Sequence, residues 1–351
     1  MKLENNLQAF FELARAGLWA DTNLNLNENV DWEKVYQLAE EQSVIGVVLA
    51  GLEHSIVKPP QELLLQWIGE VQMIEQQNLA MNKFIERLVG EMREADIYTL
   101  LLKGQGIAQC YERPLWRPSG DVDFFLSDAN YEKAKRFLLP LSSGNKPERL
   151  YSKELGMSID PWYVEIHGTQ RTGLSMRVDI TVDEVQKDVF YGGNVRSWTI
   201  GKTQVFLPSS NNDVFFVFTH FIKHFYNEGM NIRQVCDWCR LLWTYRTEID
   251  SKLLYTRLKK AGLMSEWNAF AAFAVNYLGM PADAMPLYNP SSKWSKKANL
   301  LVKVIINGNA TKKLKYVLSI AKVFPINTLR FSPCIFFYLN RLKIKEMIIK
   351  K

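Results

Sequence analysis

The chain is 351 residues long, 47% hydrophobic and carries a formal net charge of +6, ample apolar material for a globular protein of two domains, or of one with substantial additions. Its four cysteines (Cys110, Cys236, Cys239 and Cys334) show no framework spacing, and Lys322, Pro325, Arg330 and Pro333 interrupt the last candidate for the roughly 18 apolar residues of a membrane span. A disulfide scaffold and a membrane span are thereby excluded, and with Glu4 and Glu12 too acidic for a secretion signal the expected location is cytoplasmic.

Leu7 to Trp19 repeats apolar residues at helical spacing, and Asp31 is placed to cap a second helix. A long third helix is predicted from about Pro60 to Ala95. There Leu63, Leu64, Trp67, Ile68, Val71, Ile74 and Leu79 recur at steps of three and four, and Phe84, Leu88, Val89 and Met92 continue them. This region either walls one side of a cleft or serves as scaffold. A short strand follows over Tyr98 to Leu102, then a turn at Lys103-Gly104-Gln105 into a helix reaching Tyr111, with Pro114 and Pro118 stopping further helix.

The next strand presents Asp121, Asp123 and Phe125 on one face and Val122, Phe124 and Leu126 on the other. Neighbouring carboxylates repel unless a cation or proton lies between them, and an oxygen-rich pair suits Mg²⁺. Backbone N–H groups of the Gly104 turn, with Lys103 and Arg117, add positive charge to meet a phosphate. The bland reading is an exposed hairpin edge kept soluble by its aspartates.

Lys103-Gly104, Tyr111-Glu-Arg-Pro114 and Arg117-Pro-Ser-Gly-Asp121-Val-Asp123 together resemble the nucleotidyltransferase superfamily to which DNA polymerase beta belongs. The closer resemblance is to a bacterial branch catalogued as uncharacterised nucleotidyltransferases, patterned Lys-Gly, Tyr-x-x-Pro, Arg-x-x-x-Asp-x-Asp. The superfamily turn is usually Gly-Ser, whereas this chain has Gly104-Gln105. The resemblance implies Mg²⁺ or Mn²⁺ at Asp121 and Asp123, and an NTP whose phosphates meet Lys103, Gly104, Gln105 and Arg117.

Ser127 is a cap signal for a helix from Tyr131 to about Leu139. Over Asp160 to Gly168, Tyr163, Glu165 and His167 share one strand face, opposite Trp162, Val164 and Ile166. This is where the resembled family places a third acidic residue, so Glu165 is expected as the third metal carboxylate or as general base. Asp followed by His is usual there; Glu165 is one carbon longer and His167 fits. His167 orients a phosphate or a carboxylate, or is a hydrogen-bonded structural group. Arg177 to Glu184 reads as loop with strand character, and Thr203 to Pro208 as a last strand.

His220 and His224, at i and i+4, share a helix face, and Arg233 and Asp237 repeat the relation on the next helix. Phe221 stands where a zinc-protease motif has glutamate, which argues against that chemistry. The resembled family has a similar His, Arg and Asp pattern after its catalytic domain, implying that these four residues face the nucleotide or brace an interface; a structural polar cluster is the other reading. Cys236-Asp-Trp-Cys239 has redox spacing without a preceding strand and is read as core. Two amphipathic helices are expected between Glu248 and Gly279, then a proline-rich connector to Pro290. From Lys312 onward ten Lys and Arg stand against one Glu. Phe331, Phe336, Phe337, Tyr338 and Leu339 interleave there with Arg330, Arg341, Lys343 and Lys345, a pattern open to a solvated helix face, an anionic membrane surface or a nucleic acid.

The expected fold class is α+β: a small mixed-sheet nucleotidyltransferase core over 96–208 between helical regions 1–95 and 209–351. The expected function is transfer of an NMP group from an NTP to an acceptor hydroxyl or phosphate on a small sugar or metabolite, a tRNA or a protein. The alternative is a degenerate nucleotidyltransferase core that binds nucleotide as a regulatory or interaction module.

Overall fold

Four helices precede the first strand in the computed structural model, which describes residues 4–21, 24, 26, 29–307 and 313–332. They are α1 (Asn5–Trp19), α2 (Trp32–Glu41), α3 (Ile45–Glu53) and α4 (Gln61–Glu94). Asp31 caps α2 by accepting from the Lys34 amide. Helix α3, apolar up to its final Glu53 and so without a readable period, meets α1 at glycines: a Cβ on Gly17 would lie 1.8 Å from the Val47 carbonyl oxygen, and one on Gly51 would lie 2.0 Å from that of Leu13. Only glycine permits that approach.

The sheet runs in the order β3 (Gly144–Asn145), β4 (Glu154–Ile159), β5 (Trp162–His167), β2 (Asp121–Phe125), β1 (Leu100–Leu102), β7 (Thr203–Pro208) and β6 (Val195–Ile200). It is mixed: β2 lies parallel to β5 and β1 to β7, while the other neighbours are antiparallel. Helix α5 (Gly104–Ala108) follows β1, and α6 (Asp128–Leu138), capped by Ser127, follows β2. One face of the sheet, with Val122, Phe124, Val164 and Ile166, packs on α6 and on Met81 to Met92 of α4. The other face contributes Leu100, Leu102 and Phe125 to a larger core made mainly by the helices.

The segment read as loop from Arg177 to Glu184 is instead the first half of helix α7 (Met176–Tyr191), capped by Ser175. Its Val178, Val182, Val185 and Val189 are all buried, at steps of four, three and four. β-branched residues favour strands only weakly against such a buried stripe. Asp179 also organises the loop before it, accepting from the Thr172 amide (2.7 Å) and hydroxyl (2.9 Å).

Beyond the sheet come α8 (Ser210–Asn227), α9 (Ile232–Thr244), α10 (Ser251–Ala261), α11 (Met264–Leu278), α12 (Ser292–Asn307), α13 (Lys313–Val323) and α14 (Pro325–Phe331). Helix α1 packs against α11 across the sequence. Trp19 of α1 donates from Nε1 to the Leu278 carbonyl at 2.6 Å, and Phe11 packs against Phe273 and Tyr277 of α11. Cys236 and Cys239 are free, buried thiols, pushed up in pKa by that burial. Cys334 and the tail's aromatic and basic run beyond residue 332 lie outside the described residues. Among the described residues no helix is long and apolar enough to cross a membrane.

Candidate active site

The parallel register of β2 and β5 sets Asp121 beside Tyr163, Asp123 beside Glu165 and Phe125 beside His167. Side chains at paired positions share a face, so both strands deliver their polar residues to the side facing α8 and α9. The result is a cleft of about 340 Å³ with the carboxylates on one wall and those two helices on the other.

Asp123 is nearly buried. Its Oδ1 receives the Lys103 ammonium at 3.2 Å and lies 2.8 Å from His167 Nε2, while its Oδ2 has no partner among the described residues and is not sealed from the cleft. An ionised carboxylate only accepts, so His167 donates from Nε2. The same nitrogen is 3.7 Å from Glu165 Oε2, which makes His167 a brace between the two carboxylates. Burial pushes Asp123 up, but Lys103 and His167 together outweigh it and hold the carboxyl below its usual range. Glu165 goes the other way, raised first by burial and then by the charge of Asp123. Asp121, at the exposed start of β2, is also raised, by burial and by Asp123.

Lys103 reaches Asp123 because its backbone adopts φ 48°, and Gly104 follows at φ 37°. With ψ −143° this sparsely populated backbone conformation costs a lysine about 1–3 kcal/mol. Burial alone would lower its pKa, but Asp123, Asp121 and Glu165 keep it charged.

The Asp123, Glu165 and His167 ligand atoms all lie within 4.8 Å of one another; Asp121 lines the same cleft outside that group. With His167 donating, the open atoms are carboxylate oxygens, a donor set that fits a hard divalent cation such as Mg²⁺ or Mn²⁺.

Arg117 and Arg233 lie near Asp121, while Arg149 and Lys223 bracket Glu154 at 2.8 and 3.9 Å. Arg117 is largely committed: its Nε and Nη2 donate to Asp237 at 2.9 and 2.6 Å, and its Nη1 holds Pro118 and Ser119. Asp237 also accepts from the Tyr111 hydroxyl at 2.8 Å. Tyr111 and Arg117 of the sequence pattern therefore clamp the loop before β2 to α9. Arg233 donates to the Pro118 carbonyl at 2.9 Å, but its buried Nε has no partner among the described residues. Burial and the neighbouring Arg117 lower its pKa.

His220 and His224 line the cleft from α8 with Nε2 atoms 3.1 Å apart, and His224 Nδ1 is 2.9 Å from Glu228. Gln105 is the expected site residue whose side chain points elsewhere. Its Nε2 donates to Asn78 Oδ1 at 2.6 Å, and the Asn78 amide in turn holds the carbonyls of Leu115 (2.7 Å) and Arg117 (2.9 Å). It takes the place of the usual turn serine and ties the turn to α4.

Sequence reasoning missed Arg149, Glu154, Gln170, Arg171 and Lys223 in the cleft lining. Lys223, three residues after His220, carried a readable signal in helical spacing. Glu154 sits opposite His167 on β4, a strand without a clear sequence pattern.

No curated protein and no solved structure matches the chain. A family model described as uncharacterised nucleotidyltransferase matches residues 28–279, from just before α2 to the glycine after α11. That span is well over half of the chain and includes every residue named in the cleft, so the chain belongs to the uncharacterised nucleotidyltransferase family.

Proposed function

We propose that the chain moves a nucleoside monophosphate from an NTP to an acceptor on a small sugar or metabolite, a tRNA or a protein, releasing pyrophosphate. The observation that carries this reading is the Asp123–Glu165 register pair, two carboxylates with oxygens open to a cleft whose remaining walls are rich in cations. Asp123 and Glu165, with Asp121 beside them, would hold Mg²⁺ or Mn²⁺. When bound, the cation neutralises phosphate charge and polarises the α-phosphorus. The chain's own residues do the rest: Lys103 and the Arg233 guanidinium, which line the cleft, meet phosphate oxygens, and His167 fixes the two carboxylates. Phosphoryl chemistry depends mostly on such positioning and charge.

Incubation with each α-³²P-labelled NTP and Mg²⁺, with RNA, lysate or metabolite extract as acceptor, tests the reading. Asp123→Asn is expected to lower label transfer by about 10²–10³, the usual loss when one electrostatic stabiliser goes, while the protein stays folded by circular dichroism. Unchanged transfer in both Asp121→Asn and Asp123→Asn would sink it.

One observation favours a second reading, a nucleotide-binding module without turnover: the Lys103 ammonium supplies Asp123 with a counter-charge from within the chain. That reading requires nucleotide binding that EDTA leaves unchanged, with no pyrophosphate released.

A further inference from the structure

Helix α8 carries His220, His224 and Glu228, the last just past its end, in a row at four-residue steps, one above the other along the cleft. Their hydrogen bonds determine where the protons sit. A carboxylate only accepts, so His224 donates from Nδ1 to Glu228 Oε2 at 2.9 Å. A neutral His224 then has its lone pair on Nε2, and His220, 3.1 Å away, must donate from its own Nε2. That leaves the lone pair of a neutral His220 on Nδ1. This atom has no partner among the described residues, is not among the side-chain atoms sealed from solvent, and belongs to a residue lining the cleft.

The groups facing His220 favour the neutral ring. Lys103 from the β1–α5 turn, Lys223 and His224 of α8 and His167 of β5 all add to burial in pushing its pKa well down. At His224 the carboxylate of Glu228 works in the opposite sense, against burial and the two lysines. A proton arriving at His220 is thus drawn outward.

We propose that His220 Nδ1 is the general base for the acceptor, with His224 and Glu228 as a relay that carries the charge away from the cleft. As the acceptor oxygen bonds to the α-phosphorus, the bond from that phosphorus to the pyrophosphate oxygen breaks, and pyrophosphate leaves with its electron pair. The acceptor O–H proton passes to His220 Nδ1, and the proton on His220 Nε2 passes to His224 Nε2, forming an imidazolium against Glu228. Glu165 is left to the cation. The inference rests on the transferase reading and narrows it: the acceptor is an alcohol, because an ionised phosphate needs no base.

Histidine ¹⁵N NMR of the full chain without ligand reads the tautomers directly. The expected pattern is Nε2–H for His220 and Nδ1–H for His224, and Nδ1–H on a neutral His220 overturns the relay. In the label-transfer assay, His220→Gly is expected to lose about 10²-fold or more and to regain activity with added imidazole. Glu228→Ala, an exposed change, is expected to move the acid limb of kcat/KM to lower pH, because His224 loses the carboxylate that favours its protonation. If His220→Gly does not fold, the tautomers and the Glu228→Ala profile decide. Wild-type transfer that His220→Gln leaves intact removes the relay alone. Wild-type protein that transfers to no acceptor removes the transferase reading and the relay with it.

Discussion

Asp237 touches no reacting group in the proposed chemistry, yet the cleft's shape depends on it. Its buried carboxylate receives two bonds from Arg117 and one from Tyr111. Burial pushes it up, and Arg117 and Tyr111 hold it below the usual carboxylate range. A depressed folded pKa gives stability that is present above the unfolded value, about 3.9, and is lost as the pH falls through the folded one. Asp237→Ala leaves the buried Arg117 guanidinium without its carboxylate partner, a loss of about 3–5 kcal/mol. It also frees the loop that carries Asp121. A matching fall in the unfolding free energy from urea titration is expected, with part of it recovered when Arg117→Met is added; a loss under about 1 kcal/mol would mean that the pair acts as an exposed one. Strand alternation made the Asp121, Asp123 and Glu165 placements legible, because a period of two assigns faces without tertiary information. The partnership of Arg117 with Asp237 spans 120 residues, and no local spacing encodes it. An arginine beside two aspartates therefore read as a phosphate ligand when most of its donors were already taken.

Elements were legible where a period and a boundary coincided. Helix α4 runs from Gln61 to Glu94, between Pro60 and Ala95, where its stripe and its proline placed it. Helix α3 has no polar side to betray its period. Strand β6 alternates only between exposed and half-buried residues, too weak a contrast to show in composition. Three helices are joined by a feature that a sequence cannot display. Glu266 of α11, fully buried, accepts from the Tyr226 hydroxyl of α8 and the Asn327 amide of α14, both at 2.7 Å, while its Oε2 has no partner among the described residues. Burial raises its pKa against those two hydrogen bonds. A folded pKa raised above the unfolded one contributes stability that is full below the unfolded value, near 4.5, and lost as the pH rises through the folded value. Glu266→Gln, which cannot ionise, should gain on the wild type as the pH rises from 5 to 8, by up to about 1.4 kcal/mol per pH unit. Urea unfolding at both pH values reads this, and a gap independent of pH would show that Glu266 is ionised throughout.

At the scale of the whole molecule, helices outside the 96–208 segment help to bury both faces of the sheet. Met81, Phe84, Ile85, Leu88, Val89 and Met92 of α4 cover one face. On the other, Leu100, Leu102 and Phe125 enter a core shared with α1, α3, α8, α9 and α11. The cleft is composite in the same way, since β2 and β5 bring the carboxylates while α8 and α9 bring His220, Lys223, Arg233 and Asp237. A fragment of residues 96–208 would expose about half a dozen large apolar side chains at about 1.5–3 kcal/mol each. That sum is on the order of 10 kcal/mol, comparable to the whole stability of a domain, and the fragment would also lose Asp237 from beside Arg117. The fragment is therefore expected to bind a hydrophobic dye, to show collapsed NMR dispersion and to melt without a cooperative transition. The span 28–279 keeps α4 and α8 to α11 but lacks α1, whose Phe11 packs on Phe273 and Tyr277. It should unfold cooperatively at a lower urea midpoint than the full chain. A cooperative, well-dispersed 96–208 fragment would show instead that the sheet carries a sufficient core of its own and that the helices were added to it for the sake of the cleft.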